Sequence, residues 1–231
     1  MMESKRSTKV SRISVIGNHL PRRCGIATYT TNICNALALE IEKNSDLIVV
    51  AMDDMPEGYD YPDRVKFSVR ANVQADYYWV ADFLNANQYE VAILQHEFGI
   101  FGGEDGSYIL HMLKALRMPV ITNLHTVVRE PTHGQKVIIK EIARFSDRLL
   151  VMSHKAKELL VHIYGVPGDK ISFIPHGIPN ASFGKPGKYN NLFGIKDRDM
   201  ILTFGLLGPS KGIENMIKGM PAVIEKFPEV V

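Results

Sequence analysis

Cysteine is nearly absent. The 231 residues hold two, Cys24 and Cys34, with no second pair beside them. Neither a zinc site nor a disulfide framework can be built from that, so a reducing cytoplasm is the expected setting. An excess of one charge is lacking too. Lys and Arg number 27 against 25 Asp and Glu, a net charge of +2, which is too small to argue for a nucleic-acid partner. No run of about 18 apolar residues occurs, so no membrane-spanning helix is expected. The basic start "MMESKRSTKVSR" is followed by "ISVIGNHLPRR", whose apolar part is too short for a signal-peptide core. Internal repeats and low-complexity tracts are also missing. Two glycine signatures are absent: G-x-G-x-x-G after the first strand, and the nucleotide-hydrolase loop ending in Gly-Lys-Ser/Thr. Their absence argues against an NAD-linked oxidoreductase and against a P-loop hydrolase.

What is present is a regular alternation. Short β-branched apolar runs at 12–18, 46–53, 64–70, 90–96, 119–125, 148–153 and 170–176 read as strands. Several are apolar at consecutive positions, as strands covered on both faces are. Helical patterns at 26–43, 74–87, 106–117, 134–146 and 154–164 lie between most of them. Ser153 suits an N-cap and Gly165 a helix stop. The pattern predicts an α/β, Rossmann-like, doubly wound parallel sheet over residues 1–176. Residues 177–199, rich in Gly, Pro, Asn and Lys, read as a linker. A further strand (200–205) and helix (213–227) then open a second α/β domain over 200–231. One strand and one helix cannot bury their own faces. Ile201, Leu202, Ile213, Met216, Ile217, Val223 and Ile224 are therefore expected to dock on the first domain, self-associate or stay mobile.

Ligands of open parallel sheets bind at the carboxyl ends of the strands. After the first strand, Arg22 and Arg23 lead into Gly25 and a helix start. Gly25 is either a tight-turn residue beside solvated arginines or a place where backbone N–H groups approach a phosphate or sugar oxygen. After the fourth strand, His96 and Glu97 precede a loop with four glycines and with Phe98 and Phe101, which are expected to be exposed. It reads as a binding loop or as a capped loop with packing aromatics. His125 ends the fifth strand, followed by Arg129, Glu130 and His133. Such a histidine is a hydrogen-bond partner, an acid/base or a structural residue. The spacing of His96, Glu97 and His125 matches no standard metal motif, and no metal is expected. Lys136, Lys140 and Arg144 form one helical stripe, fit for an anionic membrane surface or for an ordinary solvated face. Gly205, Gly208, Lys211 and Gly212 combine glycines with one cation, as a phosphate-binding turn does.

Together, "PRRCGIATYT", "QHEFGIFGG", "NLHTV", "VMSHKAKELL…YGVPGDKISFIPHGIP" and "TFGLLGPSKGIENMIKGM" resemble, in this order, the retaining GT-B glycosyltransferases, in a mannosyltransferase-like branch of the family 4 type. The resemblance implies two Rossmann-like domains facing each other across a cleft, the first for the acceptor and the second for the nucleotide-sugar. It implies that His125 is the catalytic-site histidine beside the donor sugar. Gly25, Gly205 and Lys211 would contact donor phosphate, and Arg22, Arg23, His96 and Glu97 would line the acceptor side. The donor would be UDP- or GDP-linked, the acceptor a glycan or a lipid-linked sugar. Transfer would retain configuration without a metal or further cofactor, with peripheral contact at the inner membrane face. Leu206 stands where many relatives have an arginine beside the diphosphate. The family's two-glutamate motif and base pocket would lie beyond Val231, so the chain is expected to be truncated and to transfer little sugar alone. The competing expectation is a non-catalytic acceptor-binding or regulatory module derived from such an enzyme.

Overall fold

The computed structural model describes residues 10–178, 180, 182, 184, 194–195, 198–205, 207–208 and 211–230. Leu206 and most of the predicted linker lie outside the described residues. The chain divides into two units, Met1–Gly177 and Ile178–Val231.

In the first unit seven strands form one sheet: β1 (Arg12–Gly17), β2 (Asp46–Asp53), β3 (Val65–Arg70), β4 (Val91–His96), β5 (Val120–Leu124), β6 (Arg148–Val151) and β7 (Ile171–Phe173). Their order is β3-β2-β1-β4-β5-β6-β7, and every neighbouring pair is parallel. The helices of this unit are α1 (Gly25–Glu40), α2 (Gln74–Ala86), α3 (Ile109–Ala115), α4 (His133–Phe145) and α5 (His154–His162). Strand alternation assigns the two faces. Ile13, Val15 and Val49 pack with Cys34 of α1. Ile16, Ile48, Val50 and Leu94 point the other way and join Leu84 of α2, Met112 of α3 and Ile142 of α4. Both faces are covered, which is why Ile48–Asp53 are buried without a break. Such burial supplies the main folding drive, at about 25 cal/mol per Å² of apolar surface.

The order turns back between β1 and β4, so their carboxyl ends flank the crevice where open sheets of this kind bind ligands. Local signals fix the helix limits. The Ser153 hydroxyl accepts the Ala156 N–H at 3.0 Å, Thr132 and Gln135 form a capping box at α4, and Gly165 takes a left-handed φ of +71° after α5. α4 turns Ile138, Ile139, Ile142 and Ala143 into the core. Its stripe of Lys136, Lys140 and Arg144 is therefore the outer side of a sheet-covering helix.

In the second unit, α6 (Ile213–Lys226) matches the predicted helix. Residues 200–205 are irregular, not the predicted strand. A parallel strand needs a ladder neighbour for its N–H and C=O groups, and the described residues of this unit contain no other strand. None of the α6 residues is buried, and Leu202, Met216, Ile217 and Ile224 are exposed.

Candidate functional site

The crevice begins where β1 ends. Gly17 passes so close to β4 that an added Cβ would stand 2.8 Å from the Gln95 Cβ. That approach places the buried Gln95 side chain under the crevice floor. Its Oε1 accepts from Asn123 Nδ2 at 3.0 Å and from His125 Nε2 at 2.9 Å. An amide oxygen only accepts, so His125 carries its proton on Nε2 and leaves Nδ1 as an acceptor. The His125 backbone N–H donates to the His96 carbonyl at 3.0 Å, extending the β4–β5 ladder by one residue. Burial, aided by the neighbouring His176, lowers the His125 pKa to about 4, so the ring is neutral near pH 7. Two aromatic contacts fix its surroundings: Tyr29 meets His125 edge-on at 4.8 Å and His176 at 4.9 Å.

Tyr29 sits on α1 four residues after Gly25, and so on the same helical face. This brings the amino end of α1 beside His125. Cys24 caps the helix: its Sγ accepts from Ala27 N–H at 3.3 Å and its carbonyl from Thr28 N–H at 3.2 Å. The N–H groups of Gly25 and Ile26 make no hydrogen bond among the described residues, and the first turn contains no acidic side chain. A Cβ at Gly25 would meet nothing within 4 Å, and φ there is not positive. Neither packing nor a tight turn calls for glycine at that position.

The other predicted site residues are placed less simply. Arg22 is committed to the fold. Its Nη1 donates to Asn18 Oδ1 at 3.2 Å and to the Met52 carbonyl at 3.1 Å, and its Nη2 pairs with Asp54 at 3.0 Å. Arg23 is exposed, with no ion pair among the described residues. Glu97 also works locally. Its Oε1 accepts the Phe98 N–H at 3.1 Å, and its Oε2 accepts the Thr126 hydroxyl. Gly205 and Lys211 belong to the second unit, where both are exposed.

His96 requires a correction. Expected on the acceptor wall, it is fully buried. Its ring lies 5.1 Å from Phe98, edge-on, and 5.7 Å from Phe101, stacked. Neither ring nitrogen has a hydrogen-bond partner among the described residues. Burial, with a smaller contribution from His125, pushes its pKa down to about 3. The cause is the loop that follows, which is not the open, exposed loop expected. Phe101 is buried, and Phe98 packs against the core. A Cβ on Gly102 would fall 1.9 Å from the Ala71 carbonyl oxygen, and one on Gly106, at φ +78°, would fall 2.7 Å from that of Phe98. The glycines are there because the loop is folded tightly onto β3 and α2.

Sequence reasoning missed Gln95, Asn123, Tyr29 and His176. The available signal was a polar residue inside a largely apolar strand, Gln95 in β4 and Asn123 in β5. Among the described residues, no group of three or more His, Cys, Asp or Glu could hold a metal ion, and no helix is long and apolar enough to cross a membrane.

The first unit is thus a Rossmann-like, doubly wound parallel sheet with a neutral histidine and a free helix amino end at its switch point. Residues 24–181 match Glycosyltransferase Family 4, and the chain belongs to that family. An uncharacterized glycosyltransferase of Methanocaldococcus jannaschii is 32% identical over 88 residues, covering 35% of this chain and 23% of that protein. A glycosyltransferase from Rickettsia africae superposes with a TM-score of 0.63 at 13% identity, over 92% of this chain and 57% of its own. Anabaena HepE, solved with UDP and glucose, gives 0.61 at 14% identity, over 91% and 58%. The chain thus spans less than two thirds of the length of the relatives it matches.

Proposed function

We propose that the protein serves in nucleotide-sugar-dependent glycosyl transfer, with its first unit binding the acceptor. The observation that carries this reading is His125, held neutral by burial and oriented by Gln95, beside an exposed helix start whose glycine the fold does not require. A neutral ring with a free Nδ1 accepts a hydrogen bond from a sugar hydroxyl. The amides of Gly25 and Ile26, at the positive end of α1, stabilise negative charge on a departing diphosphate. Arg23, exposed just before α1, adds a cation.

The finer reading is transfer of a hexose, mannose in the first instance, from a UDP- or GDP-linked donor to a glycan or lipid-linked acceptor, with retained anomeric configuration. UDP in the HepE structure and in the Staphylococcus aureus MnaA co-structure supports a nucleotide-diphosphate ligand for this architecture. The test is NMR at the anomeric proton during incubation with UDP- and GDP-hexoses and an oligosaccharide acceptor. A retained configuration, lost with His125→Ala, supports the reading. Inversion rules out the retaining mechanism, and acceptor binding without transfer from any donor assigns the chain to the binding modules.

A further inference from the structure

Along the same sheet edge, two strands outward from the crevice, β2 and β3 end in a cavity of about 340 Å³. The loop after β2 forms one wall, with Asp53, Gly58 and Tyr59. The end of β3 and the start of α2 form the other, with Arg70, Asp76 and Trp79. Trp79 is 56% exposed, although its helix neighbours Tyr77 and Val80 are fully buried. An indole left open at a cavity rim gives up apolar burial that a ligand would restore.

The polar lining is carefully held. Tyr61 donates its hydroxyl to Asp53 Oδ1 at 2.6 Å, and no hydrogen bond reaches Oδ2 among the described residues. Gly58, at φ +67°, lets the loop pass there, since a Cβ would stand 3.1 Å from that oxygen. Arg70 pairs with Asp76 through Nε at 2.9 Å and Nη2 at 2.8 Å. Beside the Arg70–Asp76 pair, whose charges offset each other, the lining carries the carboxylates of Asp53 and Glu57. That balance repels phosphate and anionic headgroups. It suits hydroxyl groups, which donate to carboxylate oxygens. A pyranose offers both surfaces: a face of C–H groups for the indole and a rim of hydroxyls for the carboxylates. The cavity is joined to the crevice by Arg22, which reaches Asp54, to which Tyr59 donates at 2.8 Å.

We propose that this cavity is a carbohydrate subsite that stacks one neutral hexopyranose of a glycan acceptor on Trp79 and binds its hydroxyls through Asp53. The inference rests on the transferase reading only for the ligand's role as acceptor; the binding itself needs neither donor nor turnover.

Trp79 is the sole tryptophan of the chain, so its emission reports on the site directly. The chain is titrated with neutral gluco- and manno-trisaccharides, by fluorescence and by calorimetry. A saturable change in emission is expected, with affinity falling about tenfold in Trp79→Ala and being partly kept in Trp79→Phe. Tyr78→Ala, an exposed neighbour outside the cavity, should bind as the parent does. Circular dichroism melts confirm that each variant is folded. The proposal is overturned if no trisaccharide binds, if Trp79→Ala binds equally well, or if tetramethylammonium shifts the emission and the sugars do not. Trisaccharide binding without transfer would uphold the subsite and remove the transferase reading. Transfer with no change at Trp79 would do the reverse.

Discussion

Replacing His96 by leucine isolates an unusual group, an imidazole packed against two phenylalanines with neither nitrogen partnered among the described residues. A buried polar group left unsatisfied costs about 1–3 kcal/mol. A leucine removes that cost and fills most of the same volume at a repacking cost of about 1 kcal/mol, so His96→Leu should leave stability at pH 7.5 unchanged or raise it by up to about 2 kcal/mol. Acid separates the variants. The folded ring titrates at about 3, against 6.5 for an ordinary histidine. Its folded pKa is depressed, so the unfolded chain binds the proton first. Stability is complete above pH 6.5, falls as pH drops towards the folded value, and levels off below it. Between pH 6.5 and 5 that is about 2 kcal/mol, at about 1.36 kcal/mol per pH unit. His125, lowered to about 4, adds a loss of the same sign to parent and variant alike and so drops out of their difference. Urea unfolding of the first unit, followed through Trp79 at pH 7.5 and 5.0, measures both. The parent should lose about 2 kcal/mol more than His96→Leu over this interval. A variant that is several kcal/mol less stable at pH 7.5, yet keeps the full acid loss, would show that the ring has a polar partner and that its burial is not what sets its titration.

Three further outcomes follow from single contacts. Gly102→Ala places a methyl group 1.9 Å from the Ala71 carbonyl oxygen; the loop must move, and thermal melts should show a loss of about 2 kcal/mol or more. Gly25→Ala meets open space, so melting should be unchanged within about 0.5 kcal/mol, while transfer assays should show a large fall because the methyl group blocks the α1 amides. Arg22 and Arg23 should behave oppositely: Arg22→Met breaks three contacts and lowers the unfolding midpoint, whereas Arg23→Met should leave the midpoint alone and alter only ligand affinity.

The sheet was legible because its strands carry the message of two-sided burial in consecutive apolar runs. Ile48–Val50 and Leu149–Val151 show it in few residues. Seven strands and five crossover helices lie where those runs and the cap residues put them, within a few residues at each end. Strand 200–205 failed for a reason local pattern cannot carry: a parallel strand exists only through its neighbours. The site was half legible. His125 and Gly25 could be found at strand ends. The arrangement around His125 depends on Gln95 and Asn123 from two strands, on Tyr29 from α1 and on His176 well downstream, and no local window holds all of these. The glycine-rich loop misled because glycine serves both open ligand loops and tight packing. Only the position of the Ala71 carbonyl oxygen tells which applies at Gly102.

His96 and His125 stand at adjacent strand ends, joined by one backbone hydrogen bond, and burial keeps both neutral for different purposes. His96 is closed off by its own loop and contributes packing. His125 keeps one nitrogen occupied by Gln95 and the other without a hydrogen bond among the described residues, at the crevice where α1 begins. A protonated ring there would be tied to whatever anion lies nearest and would have no lone pair for a hydroxyl. Because its pKa is held near 4, the ring remains an acceptor across the neutral range. In the proposed reaction the countercharge for the departing diphosphate must then come from elsewhere, and in the first unit the amides of Gly25 and Ile26, with Arg23 just before them, are placed to give it. Recognition of the sugar and stabilisation of the leaving charge are thereby assigned to separate groups, which explains why a neutral histidine and an unconstrained glycine occur together at one switch point.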